Sequence, residues 1–471
     1  MMDFKKIFIN GQWISANSDD FINVENPATR VIFAQVPACG AEEVDKAAHA
    51  AHAALPKWSA LPLSERISYM KKFLQIFQSQ EEDLIDITIK ELGSPRTFTK
   101  NAQVDYQYTR TQSYIDLAPS VPLVEKMEHS TVYREPVGVI GCITPWNYPL
   151  GQVIQKIVPA MLMGNTVILK PSQHTPLSAY WMAEAFEKAG FPQGVFNMIT
   201  GRGGEVGNAM SAHPLIDMIS FTGSTTGGIT VSQQALNSVK RISLELGGKS
   251  PYVILKGADY DKAIHNCFNS IFLNSGQTCT AFSRLLIPES EKDIIEKKLI
   301  KIAEEYTTGD PNDSHTKLGP VSSKQQFNKI KSYIEKGIKE GAHLLVGHIP
   351  EEPTTGYYIS PVIFSDVKND MDIAKDEIFG PVLCVITYKD EEDAIQIAND
   401  TAYGLNAGVY GPDKESAIRI AKRIAAGNVY INDSPRDTAA PFGGYKKSGI
   451  GREGGIYGMI EFTQQKALFD D

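Results

Sequence analysis

TVILKPSQHTPLSAYWMAEAFEKAG, residues 166–190, carries the clearest signal for the fold class. Its first five residues, Thr166–Lys170, are mostly apolar and predict a strand. Thr175 and Pro176 then provide a cap and a first-turn signal, and a helix is expected from there to about Ala189, where Gly190 ends it. A strand followed by a helix is the repeating unit of an α/β protein.

The same alternation continues on both sides of this stretch. Further strands are predicted at residues 137–140, 195–199, 218–221, 250–255, 284–287, 382–388 and 428–431, and further helices at 259–273, 289–306, 324–340 and 390–398. Near the start, Asn10-Gly11 predicts a hairpin, and helices are expected at 41–55, 64–80 and 81–92. The pattern predicts a doubly wound parallel sheet in each of two α/β units, joined near Gly247-Gly248.

Composition narrows the class of protein. The chain has 471 residues, 42% of them hydrophobic and 21% charged, as in ordinary globular proteins of two or three domains. The net charge of −9 argues against a general binder of nucleic acid or anionic membranes. We expect no membrane span and no signal peptide. Five scattered cysteines without a C-x-x-C pair favour reduced thiols and a cytoplasmic location.

Cys279 differs from the other four cysteines. Cys142, Cys267 and Cys384 fall in apolar strands or a helix, where inert buried thiols are usual, and Cys39 lies in a loop. Cys279 instead has small and polar neighbours in the sequence FLNSGQTCTAFSR, residues 272–284. It is a candidate nucleophile, which would need a lowered pKa or a base, although a structural thiol is the alternative.

Two further polar residues stand in unusual contexts. Glu245 ends an apolar run directly before two glycines, so it is either a strand-end partner of Lys249 or a general base whose pKa is raised by burial. Asn147 lies between Pro145 and Pro149, which fix the backbone, so its amide could donate to a developing oxyanion. A turn asparagine that bonds its own backbone is the alternative.

Two glycine-rich turns follow predicted strands. Residues 220–228, SFTGSTTGG, precede a predicted helix and could present backbone N–H groups to a pyrophosphate, although they match neither the G-x-G-x-x-G pattern nor a Walker A loop. Residues 200–207, TGRGGEVG, form a second such turn, and ordinary loop glycines are the alternative for both. The sequence has no H-E-x-x-H motif and no His/Cys cluster, so we expect no metal site.

Seven segments taken together resemble the NAD(P)-dependent aldehyde dehydrogenase superfamily, over nearly the whole chain. The most specific are LELGGK at 244–249 and FLNSGQTCT at 272–280, whose Glu245 and Cys279 are 34 residues apart. The others are TPWNYP at 144–149, LKPS at 169–172, FTGST at 221–225, EIFGPV at 377–382 and PFGGYKKSG at 441–449.

The resemblance implies a three-part architecture. A Rossmann-type NAD(P)-binding domain would comprise residues 1–113 and 134–246, and an α/β catalytic domain residues 247–455. A small β oligomerisation arm would comprise residues 114–133 and 456–471, giving a homodimer or homotetramer. The expected partner is a small aldehyde substrate, with no nucleic acid and no membrane.

The resemblance also implies a mechanism. Cys279 would attack the aldehyde, and the Asn147 side chain and the Cys279 backbone N–H would hold the oxyanion. After hydride transfer to the cofactor, Glu245 would activate water and release a carboxylic acid, whereas relatives that transfer the acyl group to CoA generally lack this glutamate. A specialised semialdehyde or betaine-aldehyde dehydrogenase is the alternative within the family. A cysteine hydrolase without redox chemistry and a non-catalytic homologue are the alternatives outside it.

The cofactor is expected to be NAD, with NADP possible. Lys170 resembles the residue that bonds the adenosine-side ribose, Glu377 the one that bonds the nicotinamide ribose, and Ser224 a pyrophosphate contact. At Gln173 many NAD-preferring members carry a glutamate that repels a 2′-phosphate, so discrimination against NADP should be weak. The remaining expected cofactor-binding residues are Thr144, Pro145, Trp146, Gly203, Gly207, Phe221, Gly223, Gly228, Leu246 and Phe379.

Overall fold

The computed structural model describes residues 4–469, so the ends of the predicted first domain and of the arm, residues 1–3 and 470–471, lie outside the described residues. The strands are β1 Lys6–Ile9, β2 Gln12–Ser15, β3 Phe21–Asn26, β4 Val31–Pro37, β5 Val124–Lys126, β6 Ser130–Pro136, β7 Val139–Ile143, β8 Thr166–Lys170, β9 Phe196–Met198, β10 Met218–Thr222, β11 Arg241–Glu245, β12 Pro251–Ile254, β13 Arg284–Pro288, β14 His343–Val346, β15 Val362–Ser365, β16 Val382–Tyr388, β17 Tyr403–Gly404, β18 Asn406–Tyr410, β19 Asn428–Ile431, β20 Tyr445–Lys446, β21 Gly449–Ile450 and β22 Thr463–Phe469.

The α-helices are α1 Ala41–Ser59, α2 Leu63–Ser79, α3 Glu81–Leu92, α4 Arg96–Phe98, α5 Tyr106–Leu117, α6 Gly151–Leu162, α7 Ser178–Lys188, α8 Asn208–Ala212, α9 Thr225–Leu236, α10 Tyr260–Ile271, α11 Lys292–Ala303, α12 Lys324–Lys339, α13 Asp372–Lys375, α14 Glu391–Asn399, α15 Lys414–Ala421 and α16 Gly455–Glu461. Short π-helical segments cover Thr99–Asp105 and Gly203–Gly207, and 3₁₀ segments cover Ala118–Ser120, Leu273–Gly276 and Glu289–Glu291.

The first sheet has eight strands in the order β2-β1-β9-β8-β7-β10-β11-β21. Its five central strands are parallel and lie in the order β9, β8, β7, β10 and β11. Their register places Ile143 opposite both Lys170 and Phe221. The carboxyl ends of these strands therefore share one edge. Chain order reverses between β7 and β10, and ligands bind in the crevice at such a switch point in open α/β sheets.

The second sheet has seven strands in the order β14-β15-β16-β13-β12-β18-β19, all parallel except the antiparallel pair β14 and β15 at one edge. Helices cover both sheets and bury apolar residues against them. The predicted α/β fold with parallel sheets is confirmed. Strands β22, β6 and β5 form a separate antiparallel sheet.

Several local predictions are confirmed. Asn10 (φ 54°) and Gly11 (φ 73°) form the two-residue turn between β1 and β2, since this turn needs positive φ at both positions. Helix α3 ends at Gly93 (φ 81°), as predicted.

The helix after β8 starts two residues later than predicted, at Ser178 instead of Pro176. Thr175 does not cap it, because the Thr175 hydroxyl donates to the Trp146 carbonyl (2.9 Å). The Glu91 carboxylate of α3 instead accepts from the backbone N–H groups of Leu177 (2.7 Å) and Ser178 (3.1 Å). The cap comes from a residue far away in the chain, so no local signal in the sequence could reveal it.

Candidate active site

Asn147 is held by the segment that carries Cys279. It follows β7, is 3% exposed, and its side-chain Nδ2 donates to the Gln277 carbonyl (2.9 Å). Its backbone carbonyl accepts from Gln103 Nε2 (3.0 Å) and Asn274 Nδ2 (2.9 Å). These hydrogen bonds join residues that are distant in the sequence. Asn147 is therefore not a turn asparagine bonded to its own backbone, which was the alternative. Its amide is fixed to a carbonyl two residues before Cys279.

A tight turn presents Cys279. Asn274 (φ 51°), Ser275 (φ 55°) and Gly276 (φ 75°) adopt left-handed backbone conformations in succession. A Cβ at Gly276 would lie 2.1 Å from the Gly380 carbonyl carbon, so only glycine fits there. The turn directs the chain back toward the first sheet, where Cys279 is only partly buried while the other four thiols are buried.

The surroundings of the Cys279 thiol favour its neutral form. Burial raises its pKa to about 12, with smaller contributions from the Glu377 and Glu245 carboxylates, while the Arg436 guanidinium acts in the opposite direction. A neutral thiol is a weak nucleophile, so this cysteine needs a base or a bound ligand that lowers its pKa.

Glu245 is an unpaired buried carboxylate. It is 2% exposed, and neither of its oxygens has a hydrogen-bond partner within residues 4–469. Burial, followed by repulsion from Glu453, holds its pKa well above the ordinary range. This raised pKa agrees with the general-base alternative. The bond to Lys249 is not formed, because the Lys249 ammonium has no hydrogen-bond partner among the described residues either.

The glutamate and cysteine segments touch. A Cβ at Gly248 would lie 2.7 Å from the Cys279 carbonyl oxygen. The Gly248 N–H donates to Glu377 Oε1 (3.0 Å), which brings a third motif to the same point. The structure thus gathers Asn147, Glu245 and Cys279 where the two large sheets meet.

A cavity of about 310 Å³ opens onto the Cys279 sulfur. Tyr148, Thr278, Leu273 and Phe442 contribute to its walls, and the Tyr148 hydroxyl is 2.8 Å from Thr278 Oγ1. This volume lies at the lower end of the range for small-molecule sites.

Several expected cofactor residues lie along the carboxyl edge of the first sheet, where open α/β sheets form a ligand-binding crevice. Lys170 ends β8, is 3% exposed, and within residues 4–469 donates only to the Pro171 carbonyl (3.1 Å), with its pKa lowered by burial to about 8. The Phe221 ring leaves no room for a Cβ at Gly223, which would lie 2.6 Å from Phe221 Cζ. Leu246 packs equally close to Gly228 in α9.

The other end of the crevice lies beside Cys279. The Trp146 and Phe379 rings meet edge to face with centroids 5.3 Å apart, and Glu377 next to them is half-buried, with its pKa raised by desolvation. Phe379 has a positive φ of 63°, which marks a constrained backbone.

Four other expected cofactor residues make fewer contacts than the residues described above. Gly203 is exposed, and a Cβ placed on it would meet no atom within 4 Å, while a Cβ on Gly207 would approach only Ile143 Cδ1 (3.9 Å). Gln173 is half-buried without a described hydrogen bond. Ser224 caps α9, where its hydroxyl oxygen accepts from the Gly227 N–H (3.1 Å) and its own proton stays available to a ligand.

A dinucleotide fits the crevice. The Lys170 ammonium carries three donors and uses one. The hydroxyls of Thr144, directly after β7, and of Thr222, the last residue of β10, are buried and have no hydrogen-bond partner within residues 4–469. Such groups normally have partners, so these three point to a polar ligand along this edge. Within residues 4–469 no group of three or more His, Cys, Asp or Glu side chains is placed to hold a metal, and no helix is long and apolar enough to cross a membrane.

Sequence reasoning missed the residues that support the site. Lys156 and Glu453 form a fully buried ion pair (2.5 Å) beside Glu245, and Gln103 and Asn274 hold the Asn147 backbone. A lysine in the mainly apolar helix α6 was the available signal, because buried lysines usually have a charged partner.

Comparison with known proteins gives matches along the whole chain. The sequence profile of the "Aldehyde dehydrogenase family" matches residues 13–468. A protein of Staphylococcus saprophyticus is 41% identical over 470 residues, 99% of each chain. The crystal structure of aldehyde dehydrogenase C from Pseudomonas syringae, a cysteine-to-alanine mutant with NAD+ and octanal, has a TM-score of 0.98, 40% identity, and coverage of 100% of this chain and 98% of that chain. Betaine aldehyde dehydrogenase from Staphylococcus aureus, in complex with NAD+, has a TM-score of 0.96, 34% identity, and coverage of 99% and 94%.

Proposed function

Because the chain belongs to the aldehyde dehydrogenase family, we propose that Cys279 is the nucleophile that forms a covalent adduct with the aldehyde, with Asn147 and Glu245 as its partners. The protein is an oxidoreductase that acts on aldehydes, and NAD is its cofactor. The observation that carries the assignment of residues is the meeting of three distant segments: the Asn147 amide bonds the Gln277 carbonyl, and Gly248 touches Cys279.

Each residue has a role that its surroundings support. The Cys279 thiol gives up its proton to solvent and the sulfur adds as a thiolate to the aldehyde carbon, while the Asn147 amide and the Cys279 backbone N–H donate to the oxyanion that forms. Glu245 takes a proton from water in the hydrolytic step, since its raised pKa makes it a stronger base than an ordinary carboxylate. The neutral acid product leaves as the sulfur recovers its proton.

The crevice residues hold the cofactor. Lys170 and Glu377 would bond the two riboses, and the N-terminus of α9 with Ser224 would receive the pyrophosphate. Bound there, NAD would supply the acceptor for the hydride that leaves the aldehyde carbon. Trp146 and Phe379 shape the end nearest Cys279.

The proposal extends to architecture and location. Residues 1–113 and 134–246 would bind the cofactor and 247–455 would form the catalytic domain. Residues 114–133 and 456–471 would form an arm that joins copies of the chain as a homodimer or homotetramer. Its support is the separate sheet of β5, β6 and β22, where Leu468 and Phe469 are exposed apolar residues. Five free thiols support a cytoplasmic location.

The direct test of the proposed function follows NADH absorbance on mixing the protein with NAD and a panel of aldehydes, with the carboxylic acid product measured in parallel. We expect both to form in equal amounts and without CoA. Acid formation without NADH would favour a cysteine hydrolase and would contradict the proposal.

Asn147→Ala should lower kcat/KM for aldehydes by about 10²- to 10³-fold, because one donor to the oxyanion is lost. The rate of Cys279 alkylation by iodoacetamide separates this role from a merely structural one, since alkylation forms no oxyanion and should change little. An unchanged kcat/KM would remove Asn147 from the oxyanion role.

Gln173→Glu should sharpen the choice of cofactor. The wild-type protein should prefer NAD with weak discrimination, and the new carboxylate should lower kcat/KM for NADP roughly tenfold by repelling its 2′-phosphate. Gln173→Leu is the uncharged control and should not exclude NADP selectively. A wild-type kcat/KM higher for NADP than for NAD would overturn the predicted preference.

A further inference from the structure

Two arginines line the Cys279 cavity without an acidic partner. Arg110 is 8% exposed, and its guanidinium donates to Gln107 Oε1 (2.8 Å) and the Gly151 carbonyl (3.2 Å). Arg436 lies at the exposed mouth. Within residues 4–469 neither forms a salt bridge with a carboxylate.

The two guanidinium groups face the same space. Both lie over the ring of Tyr106, with the guanidinium carbons 4.9 Å (Arg110) and 5.9 Å (Arg436) from its centroid, and Arg436 also lies 4.9 Å from the Phe442 centroid. Burial lowers the pKa of Arg110; repulsion from Arg436 adds to this lowering, and the Glu453 carboxylate acts in the opposite direction. Arg436 also acts on the pKa of Cys279.

The acidic residues near this space already have partners. Glu453 is paired with Lys156, the Asp437 carboxylate accepts from the Ala439 N–H (2.8 Å), and that of Asp433 accepts from the Tyr410 hydroxyl (3.1 Å). No Asp or Glu is found among the described residues that line the cavity. Two like charges that line one partly desolvated pocket repel each other, so an anion bound between them is stabilised by both.

We propose that the physiological aldehyde carries a carboxylate at the far end of a short chain, bound by Arg436 and Arg110 while the aldehyde carbon reaches Cys279. This inference rests on the proposed function. Guanidinium groups bind carboxylates through paired, charge-assisted hydrogen bonds. A cavity of about 310 Å³ accommodates a small substrate, and Gln107, Gln152 and Gln155 give it a polar wall. The same charges repel a quaternary ammonium aldehyde, although a betaine aldehyde dehydrogenase has a similar structure.

The test compares four- to six-carbon aldehydes that end in a carboxylate with their methyl esters, with alkanals of equal length, and with a trimethylammonium aldehyde. We expect kcat/KM to be highest for the carboxylates. In Arg436→Gln the ratio of kcat/KM for a carboxylate to that for its methyl ester should fall about 10- to 100-fold, since a charge-assisted bond is lost. The ratio removes any effect on the Cys279 thiol, which both substrates share.

The matched control is Arg423→Gln, an exposed arginine paired with Glu392 outside the cavity, which should leave the ratio unchanged. A second measurement needs no variant: a five-carbon dicarboxylate should inhibit the wild-type protein competitively with the aldehyde, and its dimethyl ester should not. Raising the salt concentration should weaken this inhibition.

The outcomes separate the two proposals. Equal or better oxidation of the esters and alkanals by the wild-type protein, or an unchanged ratio in Arg436→Gln, overturns the carboxylate assignment while aldehyde oxidation stands. Absence of NADH with every aldehyde overturns the proposed function itself.

Discussion

Cys279→Ala abolishes NADH formation from aldehydes and leaves the fold intact. Turnover should fall by more than about 10⁴-fold, the order seen when a covalent nucleophile is removed. The fold should survive because the side chain is only partly buried and the change removes one sulfur atom. Circular dichroism and thermal unfolding check the fold, and NADH absorbance checks the activity.

The four buried cysteines provide the control. Cys267→Ala changes a buried thiol of α10 and should lower stability through a small cavity without abolishing turnover. Iodoacetamide should label Cys279 first in the wild-type protein and in Cys267→Ala. Labelling of another thiol, or substantial turnover in Cys279→Ala, would contradict the assignment.

The pH dependence of this labelling tests the state of the thiol. Because burial raises the pKa of Cys279 to about 12, its thiolate fraction is very small at pH 7 and rises about tenfold per pH unit up to that value. The alkylation rate without cofactor should therefore keep rising from pH 7 to pH 9. A plateau below pH 8 would show that the thiol pKa is not raised.

Glu245→Gln should trap the reaction half-way. Hydride transfer would still give one equivalent of NADH, but the thioester on Cys279 would persist because glutamine cannot take a proton from water. We expect steady-state turnover to fall by about 10²- to 10⁴-fold. Mass spectrometry should find the acyl adduct on Cys279, and rapid kinetics should show a burst of NADH.

Glu91→Gln is the matched control, since Glu91 is also a buried glutamate. Its carboxylate accepts from backbone N–H groups at the start of α7, and these hydrogen bonds do not involve the Cys279 segment. It should lower stability without building up an adduct. Normal turnover of Glu245→Gln with no adduct would remove Glu245 from the hydrolytic role.

Much of the fold could be predicted because its signals are local. The apolar runs of β8, β13 and β16 and the glycine at the end of α3 act over a few residues, so their elements appear where the sequence places them. The start of α7 could not be predicted, because Glu91 caps it from 86 residues away.

The candidate site divides in the same way. The residue types at 147, 245 and 279 and their order along the chain can be read from the motifs, because the chemistry of acyl transfer restricts which side chains can serve. Their protonation cannot be read there. The raised pKa values of Glu245 and Cys279 come from burial between two sheets. Arg110 and Arg436 are 326 residues apart in the sequence, but their charges lie close together in the fold. Burial and charge pairing depend on residues that are neighbours in space and distant in sequence. These pKa values and charge interactions are therefore decided by the tertiary structure.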